Sequence, residues 1–597
     1  MAKIGIAFPD FITTEKINRR RAPSDFLRNA GNRPRTLLAI LIIFCGVLIF
    51  RLFSLQIIEG RYFRNLANSN RVKTVIIHAP RGVVTDRWGQ VLVRNVPGFR
   101  KVISGKTKLL SKEEALAEIA KGEKGLEIDS LRFYPYKESL AHVLGYIGQI
   151  DPQELKNPSY SGYLGGDLIG KFGIEKEYEN FLRGIDGREL IEINNTGEEI
   201  RKLGKSDPIS GRNISLTVDL ALQEKAYQAL NKVKKGAVIA TTPEGEVLTI
   251  ISKPSFDPNL FTMGDGYKTS SESSYQNLDQ ILSDSSNQPL LNRSISGLYP
   301  PGSTFKLVVA ASGLTNKIID ESYSITDTGV IRVGEFSFSN WFFTGYGKTD
   351  GEVNVVKGIK RSNDIFFYKL AEKIGVEAIS AMAEKIGLGK TLGIDLQGEA
   401  KGIVPTPEWK LRNIGEQWYL GDTYHYGIGQ GFLLTTPLEV NAWTQVIANG
   451  GTMYRPHLLK NMGRKVESRN LIDAKTHSLI TQGMVESCST GGVAWPLFDF
   501  KVKNPKLKID GKNFLEVKIG SSSAVSKTDR KISVACKTGT AEHEGKGDPH
   551  AWITLFAPAH NPQIVLTVLA ETSGEGSNVA APIAKEILTE WFTNERK

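Results

Sequence analysis

A single long apolar segment near the start of the chain constrains the whole fold. Residues 36–58 read TLLAILIIFCGVLIFRLFSLQII, with Arg51 and Gln56 as the main polar exceptions. As an α-helix with a rise of 1.5 Å per residue, this segment would extend for about 35 Å, which is enough to cross a bilayer. Arg51 lies close enough to one end for its side chain to reach the headgroup region. We therefore expect one transmembrane anchor at residues 36–58.

The charges beside this segment predict its orientation. The tail before it carries Arg19, Arg20, Arg21, Arg28, Arg33 and Arg35. By the positive-inside rule, residues 1–35 form a cytoplasmic tail and everything after Ile58 lies on the other side of the membrane. A cleaved signal peptide is the alternative, but the charged tail is long and no small-x-small site follows Ile58. No second long apolar run appears, so we predict a single-pass protein.

Composition and cysteine usage exclude several classes of protein. The chain has 597 residues, 40% of them hydrophobic, so it has room for about three or four folded domains. Its net charge of +11 permits an anionic partner, but the basic residues are spread out, and we predict no nucleic-acid binding. The three cysteines, Cys45, Cys488 and Cys536, have neither a disulfide-framework nor a metal-site spacing. A Cys488–Cys536 bridge is possible outside the cytoplasm, although buried free thiols are common.

The part of the chain outside the membrane divides into two predicted domains. Residues 59–225 are mixed and rich in glycine and charge, and we expect a structural pedestal there. In residues 226–597, strand-like runs occur at both ends with helical stretches between them. This arrangement favours an α+β domain with an antiparallel sheet packed by helices.

Ser303 and Lys306 form an S-x-x-K pattern at the predicted start of a helix, 304–314. Residues three apart share a helix face, so the lysine amine can reach the serine hydroxyl. A deprotonated amine could accept the proton of the serine, and a helix N-terminus favours the developing negative charge. Alone the pattern is weak, because it arises by chance in a long chain and a capped helix with an exposed lysine would explain it.

Two further motifs follow in order along the chain. Ser362-Asn363-Asp364 precedes an apolar helix pattern, and Lys537-Thr538-Gly539-Thr540 ends a strand-like run in which the glycine permits close backbone approach. An S-x-x-K followed by S-D-N and K-T-G is a signature of class A β-lactamases and penicillin-binding proteins. The middle motif departs from that form, because Asp364 stands in its third place.

With these motifs the chain resembles the class B penicillin-binding proteins, which are bacterial peptidoglycan D,D-transpeptidases. The resemblance covers nearly all of the chain after the anchor. APRGVVTDRWGQVL (79–92) and GIEKEYENFLRGIDG (173–187) are similar to pedestal motifs of the family, and LTVDLALQ (216–223) is similar to the entry of its transpeptidase domain. The double proline before Gly302, WYLGDT (418–423) and Asp364 resemble the elongation, or rod-shape, branch, with a septal, division-type enzyme as the alternative.

The resemblance implies a role for each motif residue. Ser303 would attack the carbonyl between the two terminal D-alanines of a stem peptide, and Lys306 would be the general base. Ser362 would bridge Lys306 and Lys537, and Asp364 would contact Lys306 or the peptide amide. Lys537 would supply positive charge near the carboxylate of the substrate, and the hydroxyls of Thr538 and Thr540 would bind that carboxylate. Gly539 would permit close approach of the backbone. The N–H groups of Ser303 and Thr540 would form the oxyanion hole.

The resemblance also implies partners and a location. The ligands would be D-Ala-D-Ala stem peptides and β-lactams, with no cofactor. The pedestal and membrane helix would suit a polytopic glycosyltransferase of the shape, elongation, division and sporulation family, and the protein would lie in the bacterial inner membrane with its catalytic domain outside the cytoplasm. Some elongation-type members hold zinc near the active site through His and Cys, but neither residue occurs between Ser303 and Asp364, so we expect no metal.

Two other functions share these motifs. A β-lactamase or D,D-carboxypeptidase would use the same nucleophile, but the long pedestal and the anchor argue against a β-lactamase. A non-enzymatic β-lactam sensor would need a signalling domain, and the tail before Thr36 is too short for one. A scaffolding role could coexist with catalysis.

Overall fold

The computed structural model describes most of the chain, which folds into two compact units. Residues 33–103, 106–123, 125–194, 196–264, 266–503, 529–543 and 547–593 are described. One unit combines Met1–Ile76 with Arg188–Ser206, and the other combines Ile77–Gly187 with Asp207–Lys597. The predicted cytoplasmic tail, 1–35, lies outside the described residues except for its last three.

The first unit begins with the apolar segment, which is helical. The α-helix Arg33–Phe53 continues into a π-helical turn, Ser54–Ile58. The stretch Arg35–Ile58 is long and apolar enough to cross a membrane, and none of it is buried against the protein. This agrees with the predicted anchor.

A short sheet completes the first unit. The helix Gly60–Arg71 leads into the strand Val72–Ile77, which pairs with Gly187–Ile193, and that strand pairs in turn with Glu199–Ser206. Glu192 in the middle strand is buried and accepts hydrogen bonds from Arg71 and from Arg201. A segment distant in sequence therefore returns to pair with the chain just after the apolar helix.

The second unit begins with a five-stranded sheet in which Val91–Ile103 is the long central strand. The other strands of this sheet are Val84–Thr85, Lys106–Leu110, Leu126–Phe133 and Ile214–Ser215. The helices in this part of the chain are Lys112–Ala120, Lys137–Leu144, Gly173–Glu177 and Glu179–Leu182. A small two-stranded sheet pairs Ile147–Gln149 with Leu168–Gly170.

A buried ion network joins the two pedestal motifs of the sequence. Arg81, from the first motif, bonds through Nη2 to Glu175 Oε2 at 2.9 Å and to Glu179 Oε2 at 2.8 Å. Arg132 Nε bonds to Glu175 Oε1 at 2.6 Å. Burial raises the pKa of Glu175, but the two guanidinium groups outweigh it and the net direction is downward. Glu175 is therefore held as an anion between two cations, which is how a charged group is accommodated away from water.

The central sheet of the second unit has five strands, and all of its neighbours are antiparallel. In spatial order the strands are Val247–Lys253, Gly236–Thr241, Ile564–Ala570, His550–Ala557 and Ala535–Ala541. Side chains alternate between two cores along each strand: Ala237 and Ile239 face one core, and Val238 and Ala240 face the other. Because both faces are covered, nearly all residues of these strands are buried.

Helices cover both faces of this sheet, which confirms the predicted α+β class. Leu220–Leu230 and Ala581–Thr593 contribute to one core, and Pro437–Ala448 contributes to the other. The further helices of six or more residues in this part of the chain are Leu278–Ser283, Lys306–Thr315, Trp341–Tyr346, Val355–Arg361, Asp364–Ile374, Val376–Lys385, Pro407–Asn413, Leu420–Gly427 and Ala474–Ser487. A short turn that contains Pro243, Glu244 and Gly245 joins the paired strands Gly236–Thr241 and Val247–Lys253. The boundary expected between residues 225 and 226 stays a prediction.

The structure pairs two of the cysteines. Cys488, directly after the helix Ala474–Ser487, forms a disulfide with Cys536, and their Cα atoms are 5.8 Å apart. The bridge that the sequence left open is thus present. It attaches the end of a helix to the edge strand of the central sheet.

The buried ion network predicts a large stability effect of one substitution. Glu175→Gln should lower the free energy of unfolding by about 3–5 kcal/mol, because Arg132 would be left buried beside no carboxylate. Urea denaturation of the purified chain measures this. Glu123→Gln is the control, since Glu123 is half exposed and pairs with Lys101 at the surface, and it should leave the transition unchanged. Equal midpoints for the two variants would contradict the interpretation.

Candidate functional site

Ser303 lies in a tight turn directly before a helix. The turn Gly302–Phe305 is 3₁₀-helical, and the α-helix runs over Lys306–Thr315, two residues later than the sequence predicted. In a 3₁₀ turn, residues i and i+3 are eclipsed, so Ser303 and Lys306 leave the chain on one side. Among the described residues the Ser303 hydroxyl makes no hydrogen bond, so no described protein group competes with a ligand for it.

Close backbone contacts fix the position of this turn. Gly302 has φ of +54°, and a Cβ added there would lie 2.8 Å from the carbonyl oxygen of Thr540. On another side, a Cβ at Gly429 would lie 2.1 Å from the carbonyl oxygen of Gly302. The indole N–H of Trp552 donates to the carbonyl of Pro300 at 3.0 Å. The turn is therefore held between the edge strand of the central sheet and the loop that contains Gly429.

Lys306 is completely buried and directs its amine at the middle motif. Its Nζ donates to Asp364 Oδ1 at 2.6 Å and to the carbonyl of Ser362 at 2.8 Å. The Ser362 hydroxyl lies 3.4 Å away. The structure therefore brings the first and second motifs into direct contact.

The middle motif is the junction between two helices. Ser362 ends the helix Val355–Arg361 in the left-handed conformation, with φ of 53° and ψ of 37°. Asn363 then caps the helix Asp364–Ile374, because its side-chain oxygen accepts from the N–H of Phe366 at 2.9 Å. A non-glycine residue at positive φ is uncommon and is found where the surrounding structure imposes it, often at functional sites.

Lys537 reaches the same serine from the sheet. It lies on the edge strand Ala535–Ala541, is completely buried, and donates to Ser362 Oγ at 2.8 Å and to the carbonyl of Thr538 at 2.8 Å. The Ser362 hydroxyl thus lies between two lysine amines, one from each flanking motif.

Burial lowers the pKa of both lysines. For Lys306, the opposing influence is the carboxylate of Asp364, and the net direction is downward from the ordinary value of 10.5. For Lys537, burial and then the charge of Lys306 lower the pKa well below that value, while Asp364 opposes. Two buried amines beside one carboxylate therefore lose a proton at lower pH than an exposed lysine does.

The rest of the third motif lies along the same strand. Gly539 packs closely, since a Cβ there would lie 3.0 Å from both the carbonyl oxygen of Pro301 and a methyl carbon of Thr304. Thr540 is exposed, and its hydroxyl accepts from the N–H of Gly576 at 3.4 Å. Thr538 is buried. Trp552 is fully buried on the neighbouring strand.

Within the described parts of the chain, no group of three or more His, Cys, Asp or Glu side chains is placed to hold a metal ion. The expectation of no zinc site remains a prediction from the sequence.

The sequence missed a set of polar residues behind the middle motif. Asp327, Asn340 and Asp350 bond to one another or to Asn363 and Asp364. They belong to no motif and lie at irregular spacings. The one signal in the sequence that could have indicated these residues is the occurrence of Asn or Asp next to apolar residues.

Comparison with sequence families matches two parts of the chain. The family described as the penicillin binding protein transpeptidase domain matches residues 236–589. The family described as the penicillin-binding protein dimerisation domain matches residues 116–216.

Individual proteins match over most of the chain. The peptidoglycan D,D-transpeptidase MrdA of Haemophilus influenzae is 30% identical over 94% of this chain and 92% of its own length. A solved complex between a penicillin-binding protein (PBP2) and MreC from Helicobacter pylori has a TM-score of 0.70 at 28% identity, covering 87% of this chain and 98% of that one. A structure described as showing the coordination of polymerization and crosslinking by a peptidoglycan synthase complex has a TM-score of 0.68 at 27% identity, covering 95% of this chain and 100% of that one.

The close approach at Gly302 predicts a site-specific loss of stability. Gly302→Ala forces a residue with a Cβ into the left-handed region, at about 1–2 kcal/mol, and adds a clash with Thr540 that is worth about 1–3 kcal/mol more. Gly334→Ala is the matched control, because Gly334 has φ of +60° but a Cβ there meets nothing within 4 Å. Urea denaturation should therefore rank Gly302→Ala as the less stable variant, and equal values would mean that the turn can move away from the strand.

Proposed function

The chain belongs to the penicillin-binding protein transpeptidases of the elongation type, and from that membership we propose that Ser303 is the nucleophile with which it crosslinks peptidoglycan. It is a serine-type peptidoglycan D,D-transpeptidase. The observation that carries the assignment of Ser303 is the convergence of three motifs: Lys306, three residues on, meets Ser362, Asp364 and Lys537 in one buried cluster.

The first half of the reaction forms an acyl-enzyme. Ser303 Oγ attacks the carbonyl carbon between the two terminal D-alanines, and Lys306 accepts the hydroxyl proton. The tetrahedral oxyanion is held by the N–H groups of Ser303 and Thr540, each donor being worth about 10²–10³ in rate. The amide nitrogen takes a proton as its bond to the carbonyl carbon breaks, and D-alanine leaves. Ser303 is then joined to the donor stem by an ester.

The second half transfers the acyl group. An amine from a neighbouring stem attacks the ester, its proton is taken up by the same base, and Ser303 leaves with a proton. The Ser362 hydroxyl, which lies between the amines of Lys306 and Lys537, provides a path by which the proton can pass between them. Because the base gives back the proton that it received, the cluster returns to its starting state.

The third motif supplies the recognition of the substrate. Lys537 contributes positive charge close to the terminal carboxylate of the stem, and the hydroxyls of Thr538 and Thr540 bind that carboxylate. Gly539 keeps the strand close to the turn that carries Ser303, where a larger residue would meet the carbonyl of Pro301.

Membership of the family also makes the chain a β-lactam target. A β-lactam presents its ring carbonyl to the same nucleophile, and its leaving nitrogen remains tethered to the acyl group after the ring opens. It therefore cannot diffuse away as D-alanine does, and the adduct on Ser303 persists. Rapid turnover of penicillin would instead favour the β-lactamase alternative.

Labelling with a fluorescent penicillin tests the assignment of the nucleophile and base. We expect Ser303→Ala to abolish the covalent label and Lys306→Ala to slow labelling about 10²–10⁴-fold while both variants stay folded, which is the usual contribution of general-base catalysis. Lys317→Ala, in the turn that follows the C-terminal end of the same helix, should label like the wild type. The wild-type rate should rise with pH through a midpoint below 10.5, the ordinary pKa of lysine, because burial lowers the pKa of Lys306. Label retained by Ser303→Ala would exclude that serine as the nucleophile.

The apolar helix carries the proposal for location. One segment, Arg35–Ile58, is suited to span a membrane, and we infer that the chain is anchored by it in the bacterial inner membrane. The arginines before it support a cytoplasmic N-terminus and a catalytic unit on the opposite side, where the peptidoglycan is.

We further infer that the partner is a polytopic glycosyltransferase of the shape, elongation, division and sporulation family. The support is the likeness to a protein solved within a peptidoglycan synthase complex, which covers 95% of this chain. A polymerase next to the crosslinking enzyme would deliver new stems to Ser303 as they are made.

Exchange of the membrane helix tests this partnership. Replacing residues 35–58 by an unrelated apolar span of the same length should reduce co-purification with the glycosyltransferase in detergent at least tenfold, because helix pairing in a bilayer depends on specific side-chain packing. The exchanged chain must still reach the membrane and bind penicillin, which controls for folding. Undiminished recovery of the glycosyltransferase would show that the helix is not the contact.

A further inference from the structure

We propose that Asp327, Asn340 and the backbone N–H of Trp341 are positioning residues that hold the Asp364 carboxylate against Lys306. None of the three belongs to a catalytic motif. The inference rests on the proposed function in one respect, which is the role of Lys306 as the base.

The two oxygens of Asp364 have different tasks. Oδ1 accepts from Lys306 Nζ at 2.6 Å, and Oδ2 accepts from the backbone N–H of Trp341 at 3.0 Å. The second bond fixes the rotation of the carboxylate, and so it determines which oxygen faces the lysine. The position of a backbone N–H depends on the path of the main chain and not on a side-chain rotamer. The N–H of Trp341 can therefore donate to Asp364 whichever rotamer the indole adopts.

Asn340 ties the same carboxylate residue from the other side. Its side-chain oxygen accepts from the backbone N–H of Asp364 at 3.2 Å, and its side-chain N–H₂ donates to Asp327 Oδ2 at 2.9 Å. Asn340 is completely buried, and its backbone N–H donates to the carbonyl of Gly329. Asp364 is thus bound at two points by consecutive residues of one segment.

Asp327 is the centre of the network. It is almost fully buried, and it accepts hydrogen bonds from the side chains of Asn340 and Asn363 at 2.9 and 2.8 Å and from the backbone N–H groups of Gly329 and Asp350 at 2.8 and 2.9 Å. Among the described residues no Lys, Arg or His pairs with it. An anion kept away from water by four neutral donors requires each of them.

Asn363 connects the network to the middle motif itself. Its N–H₂ group is shared between Asp327 at 2.8 Å and Asp350 Oδ2 at 3.0 Å, and Asp350 pairs through Oδ1 with Arg361 Nε at 2.9 Å. Arg361 directly precedes Ser362, the residue in the left-handed conformation between the two helices. The ion pair of Arg361 with Asp350 therefore also restrains Ser362. The middle residue of the motif therefore orders both ends of the junction.

The charges that face Lys306 decide the sign of the expected effect. Asp364 acts on both Lys306 and Lys537, the two amines face each other across Ser362, and Asp364 and Glu542 act on Tyr368. Burial lowers the pKa of Lys306 and Asp364 raises it. Displacing Asp364 would therefore lower this pKa further and would also misalign the amine. The rising limb of the acylation rate would move to lower pH while its plateau falls.

A pair of variants at Trp341 isolates the N–H group. Trp341→Pro removes this donor, and Trp341→Ala keeps it while also removing the indole. Proline fits the position, because Trp341 is the first residue of the helix Trp341–Tyr346 and Asn340 before it has φ of −82° and ψ of 136°, which suits a residue before proline. We expect the proline variant of the full chain to react with fluorescent penicillin at least tenfold more slowly than the alanine variant, with the midpoint of the rising limb at lower pH.

A second pair tests the centre of the network. Asp327→Asn keeps the shape but loses the charge and one acceptor. Asp257→Asn is matched to it, because Asp257 is also a buried carboxylate that accepts four hydrogen bonds, from two groups of Asn259 and from the hydroxyls of Tyr267 and Thr269. Both should lower the unfolding midpoint, but only Asp327→Asn should move the pH midpoint of acylation. This pair decides the matter if Trp341→Pro does not fold.

Failure of the inference is distinguishable from failure of the proposed function. Identical pH profiles for both pairs, in a chain whose labelling still requires Ser303 and Lys306, would overturn the positioning role alone. Labelling of the wild type that is independent of Lys306 would instead overturn the assignment of the base. A slower rate with an unmoved pH midpoint in Asp327→Asn would mean that Asp327 only stabilises the fold, and it would overturn the proposal.

Discussion

The catalytic half of this molecule depends on the burial of two lysines beside one carboxylate. Lys306 and Lys537 have no exposed surface, and Asp364 is the acid whose charge acts on both of them. Such an arrangement is unfavourable unless every donor is satisfied, and the partners come from two helices and a strand that are far apart in sequence. The fold must therefore bring these three elements together to within hydrogen-bonding distance. Burial also lowers the pKa of both amines, which makes the neutral form that a general base needs easier to reach.

Unusual backbone conformations around the buried lysines allow the three elements to approach one another. Gly302 and Gly429 allow the turn of Ser303 to contact the edge strand and a loop at distances that no side chain would permit. Ser362 adopts a left-handed conformation so that one helix can end and another begin within three residues. Elsewhere the buried anion Glu175 joins the two pedestal motifs by the same rule, in which a charge is tolerated in the interior only beside its counter-charges.

The sequence predicted much of this, for reasons that are local. Ser303, Lys306, Ser362, Asp364 and Lys537 lie in short motifs, so their residue types and order could be recognised without knowing the fold. The strands around Gly236 and Cys536 are apolar runs between turn residues, which also is a local signal. The order of the strands could not be predicted, since Gly236–Thr241 pairs with Ile564–Ala570 across more than half of the chain. Asp327 and Asn340 were missed for the same physical reason: their hydrogen bonds join residues of different segments, and no pattern in either segment records them.

The Cys488–Cys536 disulfide makes the attachment of the edge strand depend on whether the compartment is oxidising or reducing. Among the strands that the structure describes, Ala535–Ala541 pairs with a neighbour on one side only, and Cys536 is the residue directly before Lys537. Packing and a single ladder of hydrogen bonds would hold this strand in a reducing environment, whereas in an oxidising one it is also bonded covalently to the helix Ala474–Ser487. The thiol–disulfide balance of the compartment therefore acts directly on the strand that carries Lys537, the second lysine of the buried cluster.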